Sequence, residues 1–286
     1  MSIDDTLRTI NELLEQLPAE IELPDSLKQF IPDKREVFIA VPTIDGKIDG
    51  RCHVSLCDSI VAARRRGHTA YTVLYPHCVY LAMVRSKAVH EFLASPATDL
   101  FFIDSDQGFS SEGFIRVLES DQEIVGGIPP MKSDDLVFPG LQCCTPEGYP
   151  LAGPEGLIEY EVLGTGFMRI KRQALERFIA HYGEDELLVI ECNRDGSERR
   201  RYMNVFDTQK VGTTWYGEDV NFCRLWRTMG GKLWVDPNID FSHTGTKTWF
   251  GNRHEYLMRC PGGALSTPAA PPPDYAAPPP DYEVSP

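Results

Sequence analysis

The run Leu100-Phe101-Phe102-Ile103 is wholly apolar and ends abruptly in Asp104-Ser105-Asp106, the pattern of a buried strand that carries two carboxylates to its open end. Carboxylates at i and i+2, where the backbone turns, can both reach a divalent cation, directly or through water, alongside phosphate oxygens. Magnesium and manganese suit such oxygen ligands. A plainer alternative stays open on these residues alone: Asp104 and Asp106 cap a turn before Ser110-Ser111-Glu112 opens a helix. Three further groups stand out. Gly164-Thr165-Gly166 interrupts two strand-like segments, where glycine lets backbone approach a ligand closely. Glu218-Asp219 stands at the start of a helix, whose N-terminus favours ionised carboxylates. His243 follows late in the chain.

Strands alternating with helices must hold these groups. Residues 37 to 43 read as an apolar strand closed by Pro42, and the loop Ile44-Asp45-Gly46-Lys47 after it offers a seat for a nucleotide. Residues 53 to 66 read as a helix with Val54, Cys57, Ile60 and Val61 on one face; Gly67 ends it before a strand over 70 to 75, which completes a βαβ unit. A helix near 79 to 95, containing Arg85, then feeds the aspartate strand, and a helix at 111 to 119 with a strand at 123 to 127 repeats the pattern. Residues 134 to 156 are rich in Pro and Gly without periodicity, as expected of a long functional loop across one end of a sheet. Strands over 157 to 162 and 166 to 170, a helix over 171 to 182, and a hairpin from 187 to 192 and 201 to 206 follow, and the hairpin makes the sheet mixed. A helix over 218 to 229 turns Phe222, Cys223, Leu225, Trp226 and Met229 inward.

The expected fold class is α/β, a single Rossmann-like domain over residues 35–258 with a mixed, mostly parallel central sheet. An N-terminal amphipathic helix and linker occupy 1–34, with Ile3, Leu7, Ile10, Leu14 and Leu17 at helical spacing, and a Pro-rich tail expected to be disordered occupies 259–286. At 286 residues and 42% hydrophobic the chain can bury a sizeable core. Its net charge of -14 argues against a broad grip on nucleic acid, although Arg194 and Arg199-Arg200-Arg201 leave room for a local one. No apolar run approaches the roughly 18 residues of a membrane span, and the acidic start Met1-Ser2-Ile3-Asp4-Asp5 is unlike a secretory signal. A soluble, cytoplasmic enzyme is expected, in the host cytoplasm if the source is viral. The eight cysteines form no C-x-x-C pair and read as reduced thiols. In the tail, Pro-Pro-Pro-Asp-Tyr occurs twice, ending at Tyr275 and Tyr282; these Pro-Pro-x-Tyr motifs resemble ligands of WW domains, the alternative being a passive tail.

Taken in order, a first strand ending in Val41-Pro42-Thr43, a D-x-D strand, Gly164-Thr165-Gly166-Phe167, the helix start Glu218-Asp219 and the late His243 resemble the GT-A glycosyltransferases, near family 2 and related phage and bacterial proteins. The likeness covers roughly residues 35 to 255. It implies transfer of a sugar from a nucleotide-diphosphate donor, a UDP-sugar first of all, to a hydroxyl acceptor, with Asp104, Asp106 and His243 around Mn2+ or Mg2+. It places Asp219 as the catalytic base, with Glu218 the competing candidate, and an Asp base acting opposite the leaving group implies inversion. Pro42, Thr43, Asp45 and Ser105 match the donor region, with Arg85 and Lys132 as partners for base, ribose or phosphate. Gly164, Thr165, Gly166 and Trp215 fall on the acceptor side. Plainer readings remain beside these: a hydrogen-bonded histidine at 243, a surface arginine at 85, a solvated lysine at 132, packing tryptophans at 215 and 249.

The resemblance leaves the acceptor open among a polysaccharide, a lipid-linked sugar, a protein and a hydroxymethylated base in DNA, nucleic acid entering only in that role. A nucleotidyltransferase that builds the activated sugar is one alternative, although it would call for a Gly-rich loop with basic residues after the first strand, a density that Thr43 to Lys47 lacks. A WW-binding scaffold acting through the tail is another, and it has no use for the polar constellation. Removing residues 262 to 286 is expected to leave the melting temperature unchanged, because the segment has no apolar pattern able to join a core; calorimetry of the truncated chain checks it.

Overall fold

The computed structural model describes residues 34–259. The N-terminal amphipathic helix and the tail with Tyr275 and Tyr282 fall outside the described residues.

Strand β1 (Glu36–Pro42) is buried along six of its seven residues, and a strand covered on both faces needs a neighbour on each edge. It pairs in parallel with β2 (Thr69–Tyr75) on one side and β3 (Asp99–Ile103) on the other. Between these strands run helices α1 (Gly50–Arg65) and α2 (Leu81–Leu93). After β3 come β4 (Gln107–Phe109), α3 (Ser111–Glu119), β5 (Ile124–Gly126), the two-residue β6 (Leu141–Gln142), β7 (Ile158–Val162) and β8 (Phe167–Lys171). Then follow α4 (Arg172–Tyr182), the short α5 (Glu184–Leu187), β9 (Leu188–Cys192), β10 (Glu198–Met203), β11 (Gln209–Val211), β12 (Thr214–Tyr216), α6 (Glu218–Thr228), β13 (Leu233–Val235), β14 (Asp240–Thr244), β15 (Thr248–Asn252) and α7 (Arg253–Arg259).

Eight strands form the central sheet in the order β2-β1-β3-β8-β5-β13-β7-β6. The fold is α/β with a mixed sheet, as expected, but the mixing has another source. Strand β8 runs antiparallel between β3 and β5, and β7 runs antiparallel to β13. Six of the eight strands share one direction, yet four of the seven pairings are antiparallel. The β9–β10 hairpin, expected to supply the antiparallel strands, makes a separate two-stranded sheet; its residues are mostly exposed and cannot fill a central position.

Alternation along the strands builds a core on each face. Phe38, Ala40, Leu100 and Phe102 pack with Phe92 of α2, Phe178 of α4, and Phe222 and Trp226 of α6. Val37, Ile39, Val41, Phe101 and Ile103 pack with Leu56 of α1 and with Phe114 and Leu118 of α3. The buried face of α1 is not the one expected: Cys52, Ser55, Leu56, Ser59 and Ala63 point inward, while Val54 and Val61 are exposed. Ser55 can face the core because its Oγ accepts a hydrogen bond from the Phe109 amide at 2.9 Å, whereas Ser59 Oγ is buried without a partner.

The lower end of this second layer is held by one carboxylate. Glu119 accepts from Arg66 Nε at 2.9 Å and Nη2 at 2.6 Å. His68 Nδ1 accepts the Arg35 amide at 3.2 Å, so Nε2 carries the proton and donates to Glu119 at 3.1 Å. Burial would raise the Glu119 carboxyl, but the bonds from His68 and Arg66 outweigh it and hold it at about 2, against an ordinary 4.5. Its contribution is therefore full above about pH 4.5 and is lost as the pH falls towards 2. Glu119→Gln is expected to cost roughly 2 kcal/mol near neutral pH and to flatten the acid limb of the stability curve. Denaturant unfolding from pH 2 to 7 checks it; an unchanged slope would remove Glu119 from this role.

Candidate active site

Strand β3 delivers Asp104 to its C-terminal end within the sheet, and backbone bonds fix the turn that follows: the Asp104 amide donates to Gly166 O at 2.9 Å and the Gln107 amide to Asp104 O at 3.2 Å. The chain then enters β4, which pairs antiparallel with β14, itself paired with β15. This register sets His243 opposite Gln107 and so brings a residue from late in the chain against Asp106. Gly166 lies against two site side chains: a Cβ there would stand 2.4 Å from Gln107 Nε2 and 2.8 Å from Asp104 Oδ2, so a side chain at 166 would displace the ends of Gln107 and Asp104.

Arg85 is not a surface arginine. It is 3% exposed on α2, with one terminal nitrogen ion-paired to Glu218 and the other 3.2 Å from Asp104 Oδ1. Its guanidinium thereby ties the end of β3 to the start of α6. The two carboxylates of that helix start then differ. Glu218 is engaged by Arg85; Asp219 accepts only the Val220 amide at 2.7 Å, through Oδ1, and has no cationic partner among the described residues. Its other oxygen faces Gly164, where an added Cβ would stand 3.9 Å away.

The three expected metal ligands do not form one set. Asp104 turns to Arg85, whereas Asp106 meets Lys132 Nζ at 2.5 Å through one oxygen and His243 Nε2 at 3.4 Å through the other. His243 Nδ1 lies 2.8 Å from Pro130 O, to which it donates, so Nε2 donates to Asp106 only when the ring carries both protons. Burial would raise the Asp106 carboxyl, but His243 and Lys132 outweigh it and hold it below the ordinary value. Among the described residues no group of three or more His, Cys, Asp or Glu side chains is placed to hold a metal ion. The residues expected as a metal set, Asp104, Asp106 and His243, are held apart: the turn between the carboxylates sends them to different basic residues, so they do not form a preformed divalent site.

Two cavities meet here. The larger, about 460 Å3, is lined by Arg85, Gln107, Lys132, Thr165 and Asp219, with Gly164, Gly166 and Glu218 around them. The smaller, about 270 Å3, is lined by Pro42, Thr43, Val79, Ser105 and Asp106. Asp104 and His243 border both. Thr43 Oγ1, Thr165 Oγ1 and Gln107 Oε1, on residues that line these cavities, are buried without a hydrogen-bond partner, an unmet need that the site carries in its walls. Gln107 was not among the expected site residues, since a polar residue just past a turn carries no signal of its own.

Two expected residues stand apart from both linings. Asp45 is exposed and pairs with its neighbour Lys47 at 3.2 Å, and burial of that loop would cost it this solvation. Trp215 is 63% exposed on the β11–β12 hairpin. A larger cavity, about 730 Å3, lies between α1 and the back of the β4–β14–β15 sheet, lined by Arg51, Gly108, Ser242 and Phe250; it contains none of the carboxylates discussed here. No helix among the described residues is long and apolar enough to cross a membrane.

No protein-family model matches the chain, and no curated protein matches it. Among solved structures, the chain is similar to A197 from STIV, at 17% identity over 74% of this chain and 86% of that one, with a TM-score of 0.44. It is also similar to GalNAc-T7, crystallised with UDP, GalNAc and Mn2+, at 11% identity over 79% of this chain and 54% of that one, with a TM-score of 0.39. A third likeness, to 4-diphosphocytidyl-2C-methyl-D-erythritol synthase from Anaerococcus prevotii DSM 20548, has 8% identity over 82% and 97% of the two chains and a TM-score of 0.36. Scores of this size fix neither a family nor an activity.

Removing Arg85 strands two carboxylates beside one another. Arg85→Met is expected to destabilise the fold by roughly 3 kcal/mol, and Glu218→Gln in the same chain to recover part of that loss by removing one stranded charge. Urea midpoints of the single and double variants measure this; additive losses would show that the ion pair is not coupled.

Proposed function

We propose that the chain is a glycosyltransferase that moves a sugar from a nucleotide-diphosphate donor, a UDP-sugar in the first instance, to a hydroxyl acceptor with inversion at the anomeric carbon. The observation that carries this reading is the pair of cavities meeting at Asp104 and His243 with the unpaired carboxylate Asp219 in the larger one. The smaller lobe, lined by Pro42, Thr43 and Ser105, suits a nucleoside. The larger lobe, lined by Gln107, Thr165 and Asp219, suits the transferred unit and the acceptor.

In this reading the acceptor oxygen attacks the anomeric carbon as its bond to the β-phosphoryl oxygen breaks. The acceptor proton passes to Asp219, and the electron pair of the broken bond stays on the departing diphosphate. Glu218 is disfavoured as the base because its carboxylate is held by Arg85; its role is to keep α6 and its N-terminus in register with β3. A polysaccharide or a hydroxymethylated DNA base both present the hydroxyl that this chemistry needs. Nucleotidyl transfer is less well supported, since the loop after β1 contributes a single lysine, Lys47, which is exposed and paired with Asp45.

Incubation with a panel of nucleotide sugars, followed by slow donor hydrolysis and by transfer to candidate acceptors, tests the activity. Asp219→Asn is expected to lower turnover by roughly 10²-fold or more while donor affinity holds, the range of a lost general base. Glu218→Gln should cost less. NMR of the product should show an anomeric configuration opposite to that of the donor, and a retained configuration would remove Asp219 from the role of base.

A further inference from the structure

We propose that Lys132 supplies the positive charge that receives the departing diphosphate, the work a bound divalent ion does where carboxylates form a metal cage. The proposal rests on the glycosyltransferase reading above and concerns how its leaving group is stabilised. With a nucleoside in the smaller lobe and a sugar in the larger, the diphosphate between them must cross the junction of the two cavities. Lys132 lines the larger cavity and its partner Asp106 the smaller, so this ion pair spans the junction. The ammonium is 2.5 Å from Asp106.

The lysine is also held in place. Its stem lies against Gly245, where an added Cβ would stand 3.1 Å from Cδ and 3.7 Å from Cε. The loop bearing it is fixed by Met131 N donating to Val137 O at 2.8 Å, and the turn bearing Asp106 by Thr244 N donating to Asp106 O at 2.8 Å. Arg85, fixed on Asp104 at 3.2 Å, gives the other end of the same turn its own cation. Each carboxylate of the Asp104-Ser105-Asp106 turn therefore has a resident basic partner, and the two do not converge on a common point. As the bond from the anomeric carbon to the β-phosphoryl oxygen breaks, the electron pair remains on that oxygen and the diphosphate gains one negative charge. A compact ammonium on a stem already ordered by packing meets that charge without reorganisation.

The experiment is calorimetric titration of the full chain with UDP, GDP, ADP and CDP, and with the corresponding nucleosides, in EDTA and again in manganese. The best diphosphate is expected to bind in EDTA within about threefold of its affinity in manganese. Lys132→Met should weaken that diphosphate by about tenfold or more and leave its nucleoside unchanged, while Lys132→Arg keeps most of the affinity. Lys132 is 37% exposed, and an unchanged melting temperature in both variants shows that the fold is intact. Loss of diphosphate binding in EDTA with recovery in manganese would overturn the role of Lys132 and leave the nucleotide site standing. Indifference of the diphosphate to Lys132→Met would overturn it equally. Binding of no nucleoside diphosphate under either condition would overturn the site reading and this proposal together.

Discussion

A guanidinium buried as deeply as that of Arg85 has to be paired, because an unpaired charge in that position would cost the fold several kcal/mol. Its two partners come from opposite halves of the chain, Asp104 from the end of β3 and Glu218 from the start of α6. Satisfying one side chain therefore fixes the distance between the strand end and the helix start, and α2 must lie on the sheet at the height that lets the arginine reach both. The polar side of the larger cavity is set by this constraint. Asp219, next to Glu218 on the first turn of α6, stays outside the network and keeps an oxygen facing Gly164.

The chain is strongly acidic overall, yet the turn at Asp104 to Asp106 is bracketed by Arg85, Lys132 and His243. The same junction also holds Glu218 and Asp219, so its charge is mixed, with each fixed cation matched to a carboxylate. Charges exposed to solvent are screened beyond a Debye length, about 8 Å at physiological ionic strength, whereas a partly buried pair is screened much less. Basic side chains are therefore concentrated locally in a chain whose net charge is -14.

Much of the scaffold was legible in the sequence, because long apolar runs and the helix start at Glu218 announce themselves by period and by charge. The aspartate strand, α3 with its Ser110 cap and the inward face of α6 lie where the pattern puts them. The misreadings have physical causes. On α1, two inward serines carry no hydrophobic signal, and the valines that do are exposed. The i, i+2 spacing of Asp104 and Asp106 says that both can reach one ion but not which way the turn rotates them, and it turns them to different basic side chains. Arg85 stands among the expected donor-binding residues, but its ion pairs could not be read from the sequence, since its partners lie 19 and 133 residues away. Strands of three residues, such as β4, offer too few positions for a period to show.

Strand β8 has a consequence for the order in which the molecule can assemble. It lies between β3 and β5, antiparallel to both, so those two strands never touch. When β5 leaves the ribosome its eventual neighbours, β8 and β13, have not been made, and its apolar residues Ile124 and Val125 have no edge to pair with. The β2-β1-β3 half can form early from contacts close in sequence; the remainder waits for residues 167 to 171 to insert as a wedge that joins the two halves. Closing that sheet demands contacts of long sequence separation, which slows folding and leaves an apolar strand unprotected in the interval.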